Sequence, residues 1–147
     1  MLPEIWGQYG WNFLHLITVA YPDNPSESDQ EHFHDYFHAL KHVLPCEKCR
    51  YNMANHLKKF PLSEEVLSCR KNLVKWGIDL HNVVNYYTGK EMLSYTDALN
   101  EINKLMTKSK AKINYLLWIM VIIAVIIVCY LFYYYAFGGG RNQRNTP

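Results

Sequence analysis

The first thing this sequence lacks is strand signal. Nowhere do apolar and polar residues alternate at period two over a useful length, which leaves an all-helical chain. There is no internal repeat, so a solenoid or propeller is excluded. No basic run is interleaved with aromatics and the net charge is only +2, so no nucleic acid partner is expected. Cysteine is scarce, with four residues and no N-terminal signal peptide, which argues against a secreted disulfide scaffold.

What is abundant is aromatic surface. Twelve tyrosines and four tryptophans in 147 residues point to a membrane interface, a flat ligand, or both. Residues 113–137 carry no charge and are dominated by Ile, Val, Leu and Tyr. At about 1.5 Å per residue such a run spans roughly 37 Å, enough for a hydrocarbon core of about 30 Å. Tyr115 and Trp118 mark one interface and Tyr133, Tyr134 and Tyr135 the other. A buried soluble helix is the alternative. Lys104, Lys108, Lys110 and Lys112 precede the run and only Arg141 and Arg144 follow it. That bias places the N-terminal part on the cytosolic side of a single-pass, C-terminally anchored protein. Cys129 then lies mid-membrane as a structural thiol.

The rest reads as a four-helix bundle with a short fifth helix. A first helix over 4–20 carries Trp6, Phe13, Leu14, Leu16 and Ile17 and ends at Tyr21-Pro22. Ser28 with Glu31 supplies a capping box for a second, through Phe33, Phe37 and Leu40, stopping before Pro45. A third runs from 46 to about 58. The fourth and longest spans 64–87, capped by Ser63, with Gly89 at its end. Its buried stripe is Val66, Leu73, Trp76, Leu80, Val83, Val84 and Tyr87. Ser94 or Thr96 caps a last helix that continues into the apolar run. The expected divisions are a domain over 1–95, a basic helical linker over 96–112, a transmembrane helix over 113–137 and a flexible tail over 138–147.

Chemistry concentrates at residues 44–50, LPCEKCR. A disulfide between Cys46 and Cys49 closes a tiny loop and restricts the unfolded chain little, so the pair suits opening and closing better than stapling. A helix N-terminus, with Lys48 and Arg50 beside it, favours a thiolate. Half a zinc site is the alternative, but zinc wants a second pair, and Cys69 and Cys129 stand apart. Two further stripes share one spacing: Gly7, Trp11 and His15, and Gly77, His81 and Asn85, each at i, i+4 and i+8. Glycine inside a helix costs about 1 kcal/mol relative to alanine, so each needs a reason. Close approach of a flat ligand is one; tight helix packing is the other.

Taken in order, Trp6-Gly7-x3-Trp11-x3-His15, Pro45-Cys46-x2-Cys49 and Trp76-x4-His81-Asn82-x-Val84-Asn85-x3-Gly89-Lys90 resemble the Erv/ALR family of FAD-linked sulfhydryl oxidases. The likeness covers about residues 4–91 and is greatest to short, membrane-attached members from large cytoplasmic DNA viruses, which implies a host or virion membrane for the anchor. It implies a homodimeric helical bundle that holds FAD non-covalently beside the CxxC and forms disulfides in protein thiols. Gly7, Trp11, His15, His42, Trp76, His81, Asn82, Val84, Asn85 and Lys90 would line the FAD. Cys46 would take electrons from a substrate dithiol and Cys49 would face the flavin, with dioxygen leaving as hydrogen peroxide.

The pattern also departs from the family. Members often have a structural cysteine pair at positions that here are Ile78 and Tyr95, and a second redox pair on a flexible arm that this chain lacks. The missing arm implies a separate small carrier with a CxxC or CxxxC, thioredoxin-like in type. Cys69 alone is expected to be a buried thiol. Two other functions compete. One is a metal-binding module built on Cys46, Cys49, Cys69 and a histidine, or on the His34, His38, His42 stripe. The other is a membrane adaptor that binds a partner helix.

Overall fold

The computed structural model describes residues 1–138, and for residues 108–113, 137 and 138 it describes the backbone alone. Among the described residues every regular element is helical. The chain divides into two units, the first Met1–Leu105 and the second starting at Met106.

In the first unit, prolines set the breaks. Helix α1 (Pro3–Ala20) has a proline at its start and stops at Tyr21, held extended (φ −59°, ψ 140°) by Pro22. Helix α2 (Glu27–Val43) ends the same way at Leu44, before Pro45. Its capping box is formed by Ser26 and Asp29, not by Ser28 and Glu31 as expected: the Ser26 Oγ accepts the Asp29 N–H at 3.2 Å, and Asp29 accepts the Ser26 N–H at 2.8 Å. The shorter aspartate closes the same reciprocal pair and adds a half-turn to the helix. Helix α3 spans Glu47–Lys59.

The expected fourth helix is broken into α4 (Glu64–Leu67) and α5 (Arg70–Tyr87). The reason is tertiary. In a continuous helix the Leu67 carbonyl would receive the Lys71 N–H; here it accepts the hydroxyl of the fully buried Tyr21 at 2.7 Å. Arg70 in turn donates to the Tyr21 carbonyl. Cys69, half-buried, is the extended residue before α5.

Helix α1 packs on α5 and α2 on α3. Leu14, Phe37, Leu40, Met53, Leu73, Trp76 and Leu80 form the main core. Phe13 and Leu16, expected on the buried face of α1, are 60% and 37% exposed, and Tyr87, expected in the α5 stripe, is 62% exposed. The apolar residues of α1 outnumber the partners that could cover them. Helix α6 (Tyr95–Tyr133) opens with Ser94 as its cap, the Ser94 Oγ accepting the Asp97 N–H at 3.1 Å. Its first turns bring Ala98 and Ile102 against Ile78 in a second apolar cluster. Beside it the Tyr95 hydroxyl donates to Asp79, which pushes the Tyr95 pKa up to about 12, and the Lys75 ammonium lies 5.7 Å from the Tyr95 ring. Apolar packing and a charge-assisted hydrogen bond therefore stand at the two positions where a cysteine staple is missing.

In the second unit, Asn114–Ala136 is long and apolar enough to cross a membrane, by length and composition, with its side chains exposed. A π-helical turn, Tyr134–Gly138, follows α6. Residues 139–147, most of the expected tail, lie outside the described residues, as do the side chains of Lys108, Lys110 and Lys112.

Candidate active site

The site begins at the N-terminus of α3. Pro45 breaks α2, and Cys46 (φ −123°, ψ 125°) is the N-cap, its Sγ accepting the Cys49 N–H at 3.2 Å. Cys46 and Cys49 form a disulfide with Cα atoms 5.0 Å apart. The Arg50 guanidinium donates to the Leu44 carbonyl at 2.7 Å, tying the helix back to the loop before it. Free N–H groups and the positive end of the helix dipole favour negative charge on the Cys46 sulfur whenever the disulfide opens.

The disulfide forms part of the wall of a cavity of about 500 Å³. Trp6, Gly7 and Trp11 of α1 form one side, and His81, Val84 and Asn85 of α5 another. Lys90 sits at its edge, where Gly89 turns the chain with φ +69°. The Trp11 and His81 rings are stacked, with centroids 4.1 Å apart and planes within 7°. Behind them His15 Nε2 and His81 Nδ1 are 2.9 Å apart and share one hydrogen bond. Burial pushes both imidazole pKa values down to about 4, so at neutral pH both are uncharged, one donating and the other accepting. Trp6 Nε1, on the cavity wall, is buried with no hydrogen-bond partner, as befits a site whose occupant brings polar atoms of its own, whereas the unpartnered His15 Nδ1 lies toward Gly77, 3.9 Å from where a Cβ there would stand.

The two glycines of the stripes, Gly7 and Gly77, serve different ends. A Cβ at Gly7 would meet nothing within 4 Å, so this position opens onto the cavity. A Cβ at Gly77 would lie 3.1 Å from Thr18 Cγ2, so Gly77 is there to let α1 and α5 approach.

Over residues 8–115 the chain matches the Erv1 / Alr family. The chain belongs to the Erv1 / Alr family. It is 54% identical over 116 residues to the probable FAD-linked sulfhydryl oxidase R368 of Acanthamoeba polyphaga mimivirus, covering 78% of this chain and 81% of that protein. It is 26% identical over 104 residues to the FAD-linked sulfhydryl oxidase of African swine fever virus, covering 71% of this chain and 85% of that one. The crystal structure of the FAD binding domain of Erv1 from Saccharomyces cerevisiae superposes with a TM-score of 0.64 at 20% identity, covering 71% of this chain and 96% of that one. At that identity the match speaks for the fold.

Within this family fold, the residues singled out in the sequence divide into two groups. Cys46, Cys49, Gly7, Trp11, His81, Val84, Asn85 and Lys90 meet at the cavity, with His15 hydrogen-bonded just behind. Like His15, three others do not line it. Trp76 lies in the core, its ring edge-on to Phe37 at 5.0 Å and its indole N–H donating to the Phe60 carbonyl. Asn82 clasps the Leu93 backbone, donating to its carbonyl at 2.9 Å and accepting its N–H at 3.0 Å. His42 is exposed on the last turn of α2. The sequence reading missed Asn52, Met53 and His56 on the cavity wall. Their signal was present: counted from Cys49 they fall at i+3, i+4 and i+7, one face of α3. Among the described residues no group of three or more His, Cys, Asp or Glu could hold a metal ion, so the metal-binding reading finds no support in the geometry.

Proposed function

We propose that this chain is a FAD-dependent thiol oxidase that forms disulfide bonds in protein substrates: two thiols and dioxygen give a disulfide and hydrogen peroxide. The observation that carries this reading is the Cys46–Cys49 disulfide in the wall of a cavity lined by Trp6, Trp11 and His81. FAD fits the residues present: open space at Gly7, a flat stacked Trp11–His81 wall and the unpartnered Trp6 nitrogen suit a heteroaromatic ring system with polar edges. Gly7, Trp11, His81, Val84, Asn85 and Lys90 would hold it. His42, Trp76 and Asn82 would act at its margin or through packing. When bound, FAD supplies a two-electron acceptor that dioxygen can discharge.

The protein's own part is thiol–disulfide exchange. A substrate thiolate attacks Cys46 Sγ; a mixed disulfide forms and Cys49 leaves as a thiolate. The second substrate thiolate attacks its own half of the mixed disulfide, and Cys46 leaves as a thiolate held by the Cys49 N–H. Closure of the Cys46–Cys49 disulfide then sends the electron pair into the cavity. Two electrons and two protons leave the substrate in each cycle, and dioxygen takes up the same number.

Around this centre the protein works as a homodimer, supported by the exposed apolar stripe Leu2, Ile5, Tyr9, Phe13 and Leu16 on α1. It receives electrons through a small dithiol carrier of the CxxC or CxxxC type. Its apolar helix sits in membrane lipid, with the oxidase unit on the cytosolic side, in keeping with the lysines that precede it.

The test is colour and oxygen uptake. Purified protein should be yellow with bound flavin and should consume oxygen with a dithiol, and a form ending near residue 110 should do the same without detergent. A colourless protein that takes up no oxygen would end this reading. Presented as its disulfide, the carrier should be trapped on the Cys46 thiolate of Cys49→Ser, one carrier sulfur bonding to Cys46 as the other leaves as a thiolate, because the Cys49 thiol that would release it is gone; Cys46→Ser should trap none.

A further inference from the structure

His56 is a buried, polar residue of the cavity wall for which the exchange chemistry has no use. It is only 8% exposed, yet no group among the described residues hydrogen-bonds its ring nitrogens. Its one ring neighbour is Tyr87, with centroids 5.6 Å apart and planes tilted by 35°. Among the described residues the fully enclosed side-chain atoms without a partner are Trp6 Nε1 and His15 Nδ1, so the His56 nitrogens remain accessible, and the cavity that His56 lines is where they can meet an occupant. The residue stands two turns beyond Cys49 on the same face of α3, about 10 Å along the helix axis. Burial, and then the Lys59 charge on the same helix, hold its imidazole below the ordinary histidine range, so it enters each cycle neutral.

We propose that His56 is a further residue of the redox site, hydrogen-bonding the flavin in the cavity and taking up a proton there when the electron pair arrives. This rests on the thiol oxidase reading above. The two substrate thiols release two protons with their two electrons, and peroxide needs both protons. While the electrons reside in the cavity, one of those protons on His56 offsets their negative charge, and it leaves with the peroxide.

The other titratable or charged groups near the cavity cannot do this. Lys48 and Lys90 on its rim, and Lys59 beside His56, already carry a positive charge. Tyr87 sets its ring against His56. His81 is stacked on Trp11 and hydrogen-bonded to His15. The cysteines are joined in the disulfide at the start of each cycle. Among the described residues, His56 is the imidazole of the cavity wall whose ring makes no hydrogen bond at either nitrogen, whereas His81 is already bonded at Nδ1.

The test uses the full chain in detergent or lipid discs, as wild type, His56→Gln and His56→Leu. Two quantities are read across pH 5–9: the absorption band of the bound oxidised flavin, and the rate at which a dithiol bleaches it without oxygen. In the wild type the band shifts as an imidazole below pH 6.5 titrates. His56→Gln keeps the flavin, because glutamine both donates and accepts, but loses that shift. His56→Leu loses the shift and bleaches on the order of ten-fold more slowly. Either variant retaining the wild-type pH dependence overturns the proposal, and the glutamine variant carries the test even where leucine prevents folding. A colourless wild type overturns the oxidase reading and this inference with it. A yellow wild type with unmoved variants overturns this inference alone.

Discussion

Helices α1 and α5 run antiparallel, and their two ends use similar residues for opposite purposes. At one end Gly7, Trp11, His81 and Asn85 border open space beside the disulfide. At the other, Gly77 meets Thr18, and Trp76, Leu73 and Leu80 are buried in the core. Each end has a glycine, a tryptophan and polar side chains at helical spacing. The difference lies in what lies beyond the pair. The loop and first turn of α3 stand off from the first end, whereas α2 closes over the second, with Phe37 against Trp76. Identical spacing on a helix therefore specifies a face, and a third element decides whether that face becomes a site or a core.

The largest expected effect lies wholly at the cavity end. Cys46→Ser or Cys49→Ser should abolish oxygen uptake with a dithiol while leaving flavin bound and thermal stability nearly unchanged. Serine is itself a good N-cap, so position 46 loses its redox partner without losing its hydrogen bond to the helix. Cys46→Ser should also leave Cys49 as a thiolate and add a long-wavelength tail to the flavin spectrum. A tail in Cys49→Ser instead would reverse the two roles.

Acid should act where the two ends meet, at the His15–His81 pair. Both folded pKa values are about 4, below the value of about 6.5 in an unfolded chain, so the unfolded state takes up protons first. Stability is therefore unaffected by this pair above pH 6.5 and falls as pH drops from there toward 4, by on the order of 3 kcal/mol for each histidine. Urea midpoints measured over this range should fall, and the slope should flatten when both histidines are replaced by leucine. An unflattened slope would assign the acid sensitivity to other groups.

The glycines sharpen the contrast further. Gly77→Val forces methyl groups onto Thr18, which is 1% exposed and hydrogen-bonded to the His15 carbonyl, and should cost about 1–3 kcal/mol of stability. Gly7→Ala meets no protein atom, so it should stabilise the flavin-free chain by up to about 1 kcal/mol while lowering flavin retention. Equal effects at the two sites, in a melting curve read beside flavin content, would erase the distinction.

The smallest effect belongs to the latch at the start of α6. Tyr95→Phe removes the bond to Asp79 and should cost no more than about 1 kcal/mol, because the pair is exposed and water replaces it. Ile78→Ala, in the packed cluster beside it, should cost about 2–5 kcal/mol, by the same melting measurement. If the tyrosine mattered more than the isoleucine, a hydrogen bond rather than packing would be standing in for the missing cysteine staple.

Much of this protein was legible from residues close together in sequence. The all-helical class, the prolines that end α1 and α2, the CxxC at a helix start and the apolar run all follow from local rules. Backbone restriction, capping and the length needed to cross lipid act within a few residues or within one segment. Three ordered motifs were enough to point to the family, because their spacing carries more information than any one of them. Only the tertiary structure could decide the rest. It chose between ligand approach and packing at Gly7 and Gly77, broke the expected fourth helix with the Tyr21 hydroxyl, and turned His56 toward the cavity. It sent Trp76 to the core and Asn82 to the Leu93 backbone. Each of those outcomes depends on which distant residue arrives opposite, and helical periodicity names a face without naming what will cover it.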